Sequence, residues 1–218
     1  MSRKPRPRRS PRRPPSPTPR RARATPPTSS VVVGLTGGIG AGKSEALRAF
    51  ERHGAVILSS DEVVRGLYSR PAVRDAVVER FGRRILTADG DVNRGALGRI
   101  VFADPTELRW LERLVLPLVS EEFVRWRSEH ERMGTPLLVH EAPTLFEAGV
   151  EDRYDTIVAI TAPGDLRENR RPGAAERMAH QLPESEKAAR ADVVYENSGT
   201  LEELDTFVAG LVERLLPR

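Results

Sequence analysis

An eight-residue glycine-rich stretch, Gly37–Ser44, constrains the fold of this chain more than any other feature of its sequence. It reads GGIGAGKS and so fits the pattern G-x-x-x-x-G-K-S. The apolar run Val31–Leu35 precedes it, and a helical pattern with Leu47 and Phe50 on one face follows it. A strand, a glycine-rich loop and a helix in this order are the setting of a phosphate-binding loop. The alternative is a plain glycine turn, and the Lys-Ser ending argues against it.

The residues of this loop have the chemistry that a nucleoside triphosphate requires. Glycines let the backbone curl so that successive N–H groups point at phosphate oxygens, and the start of the helix adds its positive end. Lys43 is able to reach the β- and γ-phosphates, and Ser44 is able to hold Mg²⁺. We expect the nucleotide to be bound by Gly38, Ile39, Gly40, Ala41, Gly42, Lys43, Ser44 and Glu45, with Ser44 as the metal ligand.

The net charge of +4 is unevenly distributed along the 218 residues. Residues 1–30 contain ten basic residues, nine prolines and no acidic residue. The remaining 25 basic and 31 acidic residues leave residues 31–218 with a net charge of −6. The basic character therefore belongs to the N-terminal segment, and it does not indicate a nucleic-acid-binding domain.

Residues 1–30 form a low-complexity segment that we expect to be disordered or polyproline-like, because it has too little apolar surface to fold. Two interpretations give it no function: it is a solvated tail, or it results from a start codon placed too far upstream. The alternative is that it makes a loose electrostatic contact with RNA or another anionic surface. It contains no aromatic residue for base stacking. We expect no other contact with nucleic acid.

The chain has no cysteine and no apolar run near the ~20 residues that a membrane span needs. Its N-terminus also lacks the apolar stretch of a secretory signal. These features exclude a disulfide framework and thiolate metal sites, and they predict a cytoplasmic protein without a membrane partner. They do not define an oligomeric state.

From residue 31 onward, short apolar runs alternate with amphipathic helical patterns, which predicts an α/β fold of three layers with a five-stranded parallel sheet. The first three runs are continuous, as in strands buried on both faces. The stretch from about 62 to 133 is almost entirely helical and predicts a lobe that holds a second substrate. The predicted strands are Val31–Thr36, Ala55–Leu58, Leu137–Glu141, Thr156–Thr161 and Asp192–Tyr195.

Two acidic segments follow predicted strands and therefore lie at the edge of the sheet that carries the loop. Asp61 is able to deprotonate an attacking hydroxyl or bind Mg²⁺ through water; as an equal alternative, Ser60 or Asp61 caps a helix that begins at Glu62. Glu141 and Glu147 are either part of the metal shell or solvated loop residues. We interpret His140 as a hydrogen-bonded structural histidine, because no partner at metal spacing is near it.

Arginines surround a Pro-Gly break at 172–173. This arrangement suggests a mobile lid that closes on the nucleotide phosphates, with an ordinary charged helix surface as the alternative. Asn197 either lines an adenine pocket or caps the final helix. The basic residues concerned are Arg167, Arg170, Arg171 and Arg177.

In this order and spacing, the motifs resemble those of the bacterial dephospho-coenzyme A kinases from residue 31 to the C-terminal helix. The resemblance rests on Gly34–Ser44, Gly54–Ala55, Leu58–Asp61, Phe81–Gly82, Val101–Phe102, Pro143–Glu147 and Arg177–Met178. It implies a P-loop kinase domain over residues 31–218 with a helical substrate lobe and a short lid at about 167–180.

The resemblance also implies a reaction that depends on Mg²⁺. In it, ATP phosphorylates the ribose 3′-hydroxyl of dephospho-coenzyme A, which is the last step of coenzyme A synthesis. ATP and dephospho-coenzyme A are then the small-molecule partners. By position, Asp61 corresponds to the catalytic base, beside Lys43 as the second catalytic residue. Arg167, Arg170 and Arg177 correspond to lid arginines, and Asn197 to a residue near the adenine of ATP.

The chain departs from the family pattern at several positions. Ser59 stands where an aspartate is usual, Glu45 replaces a threonine, Leu116 a histidine and Thr144 a leucine, and the lid segment is a few residues short. Because Asp61 is present, we expect activity to survive. The rival predictions are a P-loop kinase for another small acceptor, such as a nucleoside monophosphate, and a non-catalytic nucleotide-binding protein.

Overall fold

Five parallel strands form one sheet at the centre of the molecule, in the spatial order β2–β3–β1–β4–β5. The computed structural model describes residues 30–172 and 181–216. The strands are β1 (Val31–Gly37), β2 (Val56–Ser59), β3 (Leu137–Glu141), β4 (Thr156–Thr161) and β5 (Val193–Glu196). The predicted α/β fold with a five-stranded parallel sheet is therefore confirmed.

Burial along the strands follows their place in the sheet. All five residues of β3 and six of the seven residues of β1 are buried, as continuous apolar runs predict. The same expectation is wrong for β2, where only Ser59 is buried and the other three residues are half-buried. The physical reason is that β2 lies at an edge of the sheet and pairs with β3 only.

Helices cover both faces of the sheet. The described residues contain α1 (Lys43–Arg52), α2 (Ser60–Leu67), α3 (Pro71–Phe81), α4 (Arg94–Ala103), α5 (Pro105–Arg132), α6 (Gly164–Arg170), α7 (Glu184–Arg190) and α8 (Leu201–Leu215). None of these helices is both long enough and apolar enough to cross a membrane.

Alternate residues of a strand face opposite sides of the sheet, and each side has its own cover. On one side, Val33 and its neighbours pack with Phe50 of α1 and Val208 of α8. On the other side, Val32 and Leu138 of the sheet pack with Phe123 of α5. The sheet is therefore the middle of three layers.

Helices α2 to α5 share a second hydrophobic core away from the sheet, built around residues such as Val77, Leu97 and Val115. Helix α5 contributes to both cores, since its N-terminal half packs in the lobe and its Phe123 packs on the sheet. Its 28 residues span roughly 42 Å at 1.5 Å per residue. Its N-terminus is capped by Asp104, whose side chain accepts the Thr106 N–H at 2.8 Å.

The bounds of β3 and β4 are the predicted ones, whereas several other element ends differ from the prediction by one or two residues. Strand β2 ends at Ser59 rather than Leu58, because Ser59 still pairs with Glu141. Helix α2 begins at Ser60 rather than Glu62. Strand β5 begins at Val193 rather than Asp192, whose carboxylate instead accepts the Ile157 N–H at 2.7 Å.

Candidate active site

The loop between β1 and α1 is curled as the glycine-rich sequence predicts. Gly37, Gly40 and Gly42 have φ values of 137°, 78° and 101°, which lie in the region that other residues avoid. A Cβ atom at Gly37 would fall 1.9 Å from the carbonyl oxygen of Ile160. Both the backbone conformation and the close approach of β4 therefore require glycine at this position.

Lys43 is the first residue of α1 and is only 9% exposed. Its Nζ donates a hydrogen bond to the Gly38 carbonyl at 2.9 Å, across the loop. Burial lowers the pKa of Lys43, and the carboxylates of Glu141 and Asp61 oppose that shift. A buried ammonium group thus lies inside the loop, where phosphate oxygens would stabilise its charge.

An open cavity of about 670 Å³, here called the phosphate cavity, extends from this loop. Ile39, Gly40 and 42–45 line one side of it. The carboxylates Asp61 and Glu141 line it from the ends of β2 and β3, and Arg170, Arg171 and Gln181 line it from the end of α6 and from the residues before α7. Most of the predicted nucleotide-binding residues therefore face one cavity.

Asn197 lies beneath the loop and is 4% exposed. Its amide Nδ2 donates to the Ala41 carbonyl at 2.8 Å and lies where a side chain at Gly42 would have to be. Its own backbone carbonyl accepts two hydrogen bonds from Arg170 at 3.2 Å each. The helix-cap interpretation of Asn197 is wrong, since Thr200 caps α8. Asn197 instead supports the phosphate loop.

The predicted lid arginines occupy different environments. Arg167 forms an ion pair of 3.7 Å with Glu184, whose carboxylate also accepts the Gly38 N–H at 3.2 Å. The backbone of Arg167 lies against the loop, since a Cβ at Gly40 would fall 2.6 Å from its carbonyl oxygen. Arg170 lines the phosphate cavity whereas Arg167 does not. Arg177 lies outside the described residues, as do residues 1–29 of the N-terminal segment.

Asp61 lies in the first turn of α2, at the carboxyl edge of the sheet. The capping interpretation is wrong, because the helix begins at Ser60 and its N-cap residue, Ser59, makes no side-chain cap bond. Asp61 is exposed and lines the phosphate cavity together with Lys43. It also lines a second cavity on the lobe side.

This second cavity of about 200 Å³, here called the acceptor cavity, lies between α5 and the ends of β2 and β3. Its walls are mainly apolar, with Leu116, Val119 and Phe123 from α5. Asp61 and Pro143 line both cavities. The two cavities are therefore neighbours that meet at these two residues.

Three glutamates that the sequence analysis names lie in different environments. Glu141 is buried, lines the phosphate cavity and accepts the Ser59 hydroxyl at 2.9 Å; burial raises its pKa, and Lys43 opposes the shift. Glu147 lies in the exposed loop after β3, pairs with Lys187 at 2.8 Å and does not line the phosphate cavity. The loop interpretation therefore applies to Glu147 but not to the buried Glu141. Glu45 pairs with Arg48 at 2.6 Å on the surface of α1.

Lys187 is a structural residue that the sequence interpretation missed. Its side chain is 1% exposed, and its Nζ donates to the Pro143 carbonyl at 2.6 Å as well as to Glu147. Thr36 donates to the same Pro143 carbonyl at 3.1 Å. Pro143, which separates the two cavities, is therefore held from β1 and from α7. No local pattern marks this role, because the lysine is far from Pro143 in sequence.

The residues of the phosphate cavity fit a magnesium ion that arrives with a nucleotide. Ser44, Asp61 and Glu141 line one cavity and supply the oxygen atoms that Mg²⁺ prefers. Within residues 30–172 and 181–216, no group of three or more His, Cys, Asp or Glu side chains is arranged to hold a metal. An Mg²⁺ ion here would therefore need phosphate oxygens to complete its coordination.

A parallel sheet with a curled glycine loop at its carboxyl edge, a buried lysine in the loop and an adjacent carboxylate defines a P-loop kinase. Comparison with known proteins narrows this class. The family model for dephospho-CoA kinase matches residues 31–203. The chain belongs to the dephospho-CoA kinase family, as its sequence predicts.

Relatives support the same assignment over most of the chain. A dephospho-CoA kinase of Frankia casuarinae is 40% identical over 195 residues, which cover 85% of this chain and 84% of the relative. One of Thermobifida fusca is 37% identical over 196 residues, covering 85% and 96%. A crystal structure of a Thermus thermophilus protein has a TM-score of 0.70 at 31% identity and covers 87% of this chain and 100% of its own.

Proposed function

We propose that this chain transfers the γ-phosphoryl group of ATP to the ribose 3′-hydroxyl of dephospho-coenzyme A, giving coenzyme A and ADP. Family membership makes it a dephospho-CoA kinase of coenzyme A biosynthesis. The observation that carries the detailed proposal is that Asp61 lines both the phosphate cavity and the acceptor cavity. A donor in one cavity and an acceptor in the other would therefore meet at a carboxylate.

On the donor side, the loop amides and Lys43 bind the triphosphate. Lys43 exchanges its hydrogen bond to the Gly38 carbonyl for β- and γ-phosphate oxygens, which neutralise an ammonium group that burial otherwise disfavours. Arg170 and Arg171 line the same cavity and supply further positive charge. Arg167 acts more indirectly, through its packing on the loop. A contact from Arg177 stays a prediction.

On the acceptor side, Asp61 orients the attacking hydroxyl and takes its proton. The hydroxyl oxygen forms a bond to the γ-phosphorus while the bond between that phosphorus and the β,γ-bridging oxygen breaks. The electron pair of the broken bond leaves with ADP, and the proton goes to the Asp61 carboxylate. A positioned base of this kind contributes about 10²- to 10⁴-fold to a rate.

Magnesium is part of this proposal. Ser44, with Asp61 and Glu141 nearby, would hold the ion against the nucleotide. When bound, it neutralises charge on the phosphate oxygens. Glu141 thus supplies a carboxylate close to the position where Ser59 stands in place of the family's usual aspartate.

The helical lobe of about residues 62–133 contributes the apolar wall of the acceptor cavity, and we propose that it holds dephospho-coenzyme A. Asn197 serves ATP binding by supporting the loop rather than by a demonstrated contact to adenine. The cytoplasmic location and the separate tail of residues 1–30 stay predictions.

The Asp61→Asn variant tests the proposal. Turnover of ATP with dephospho-coenzyme A should fall about 10²- to 10⁴-fold, because the amide cannot accept the proton, while binding of a fluorescent ATP analogue stays within twofold. Glu62→Gln is the matched control, since Glu62 is the neighbouring exposed carboxylate and lines neither cavity. Near-normal turnover of Asp61→Asn would remove Asp61 from this role.

A panel of acceptors tests the substrate with the same coupled assay. Dephospho-coenzyme A should give the highest kcat/KM, and product analysis should place the new phosphate on the 3′-oxygen. Faster phosphorylation of a nucleoside monophosphate would favour the rival kinase. Tight ATP binding without any product would favour a non-catalytic nucleotide-binding protein.

A further inference from the structure

Two consecutive serines at the junction of β2 and α2 are bonded to two consecutive residues of β3. Ser59 Oγ donates to Glu141 Oε2 at 2.9 Å, and a hydrogen bond of 2.9 Å joins Ser60 Oγ to His140 Nε2. The first bond lies beside the phosphate cavity and the second beside the acceptor cavity. The next residue, Asp61, is the one that lines both.

The second of these bonds continues into the body of the domain. His140 Nδ1 shares a 2.9 Å hydrogen bond with the Tyr154 hydroxyl, and its ring stacks on Phe123 at 4.6 Å between centroids. The Tyr154 ring in turn covers Gly34 of β1, where a Cβ atom would fall 2.9 Å from it. Ser60 is thus connected through two side chains to the centre of the sheet.

The two serine hydroxyls do not cap helix α2, although serine at this position would normally do so. Serine is among the best N-cap residues, because its hydroxyl accepts an N–H of the first helical turn. Ser59 is the N-cap of α2, yet no side-chain cap bond forms there. Both hydroxyls instead fasten the start of α2 to β3, so the first turn is held by tertiary contacts rather than by its own cap.

His140 suits a fixed, uncharged role. The ring is 4% exposed, and burial, with a smaller contribution from Arg153, lowers its pKa from 6.5 to about 3. At neutral pH it is therefore uncharged, with one ring nitrogen as donor and the other as acceptor. Ser60 and Tyr154 satisfy both nitrogens, so neither is left to exchange protons with a substrate.

We infer that Ser60, His140 and Tyr154 form a positioning network that fixes the first turn of α2 and thereby aims the Asp61 carboxylate at the acceptor hydroxyl. This inference rests on the proposed role of Asp61. The three side chains line the acceptor cavity, but they act through Asp61 and are positioning residues rather than catalytic ones. Small misplacements of a reacting group are costly, since about 1 Å can cost 10²-fold in rate.

Kinetics of the Ser60→Ala variant test this inference. We expect kcat to fall about 10- to 100-fold, while the KM values for ATP and dephospho-coenzyme A stay within twofold. Ser60→Thr keeps the hydroxyl and should recover most of the lost kcat. Tyr154→Phe removes only the hydroxyl that holds His140, so it gives a second measurement if Ser60→Ala does not fold, and its kcat should also fall.

A double-mutant cycle with Asp61→Asn separates positioning from general damage. If Ser60 acts through Asp61, then Ser60→Ala should cause no further loss of kcat in the Asp61→Asn background, because the group that it positions is already disabled. Equal losses in both backgrounds would overturn the inference, since they would show an effect independent of Asp61.

The remaining outcomes are also decisive. An unchanged kcat for Ser60→Ala, beside a large loss for Asp61→Asn, would refute the network and leave the proposed function intact. A raised KM for dephospho-coenzyme A with unchanged kcat would make Ser60 a binding residue and overturn the positioning role. Full activity of Asp61→Asn would overturn both the role of Asp61 and the inference built on it.

Discussion

The phosphate cavity and the acceptor cavity share a wall at Asp61 and Pro143 but are built by different means. The phosphate cavity is polar, and one continuous segment of the chain, residues 39–45, forms one side of it. The acceptor cavity is smaller and mainly apolar, and it is assembled from α2, α5 and the residues after β3. One side of the phosphate cavity is therefore encoded locally, whereas the whole acceptor cavity depends on the packing of separate elements.

This difference follows from the chemistry of the two ligands in the proposed reaction. A triphosphate is recognised by backbone N–H groups and positive charge, which a short loop can supply at the start of one helix. Shape and apolar surface recognise the rest of an organic acceptor, and these require side chains from several elements. The shared wall brings the two kinds of recognition together at Asp61.

Of the three tests that compare the two cavities, the one that removes the charge on the phosphate side has the largest expected effect. Lys43→Ala should lower kcat/KM on the order of 10²- to 10³-fold, the loss typical of removing one donor that stabilises transition-state charge, and should weaken binding of an ATP analogue. Arg48→Ala is the matched control, because Arg48 is an exposed cation of the same helix, paired with Glu45. An unchanged rate for Lys43→Ala would refute the assignment of the loop.

The second prediction tests whether His140, in the wall of the acceptor cavity, is as deeply buried as the structure shows. The pKa of His140 is about 3 in the folded chain and 6.5 ordinarily. Between these two pH values, His140 is therefore protonated in the unfolded chain and neutral in the folded chain. Folding stability from this group is complete above about pH 6.5 and is lost as the pH falls toward 3, by about 1.4 kcal/mol per pH unit.

Urea unfolding of the wild type and of His140→Gln between pH 7 and pH 4 measures this effect. The wild type should lose more stability on acidification than the variant, which has no such group to protonate. Parallel pH profiles for the two proteins would show that His140 titrates normally and would contradict its burial in the wall of the acceptor cavity.

The smallest effect tests how far the phosphate loop depends on contacts beyond its own sequence. Asn197→Ala removes the donor to the buried Ala41 carbonyl, and an unsatisfied buried carbonyl costs about 1–3 kcal/mol. We expect ATP affinity to fall about tenfold, with KM for the acceptor unchanged. Ser198→Ala, at the neighbouring exposed position, should leave both unaltered. Normal ATP affinity in Asn197→Ala would mean that the loop holds its shape unaided.

Sequence reasoning succeeded where a function lies within one short segment. The phosphate loop, the parallel sheet and the position of Asp61 at its carboxyl edge all follow from local patterns. The alternative that Ser60 or Asp61 caps a helix was wrong. The sequence does not show that the neighbouring serines bond to β3 instead. Sequence reasoning left Glu141 open, although a carboxylate at the end of a buried, mainly apolar strand is a signal that the residue faces a site.

The sequence by itself determined the family, the glycine loop and the order of strands and helices, because periodicity and spacing act over a few residues and are legible without a structure. Only the tertiary structure decided which distant side chains meet. Lys187 is hydrogen-bonded to Pro143, which lies 44 residues away in the sequence. The pair Asn197 and Ala41 is separated by 156 residues, and the pair His140 and Ser60 by 80. Such pairs form because the sheet and α5 bring their elements together, and no local pattern records that packing.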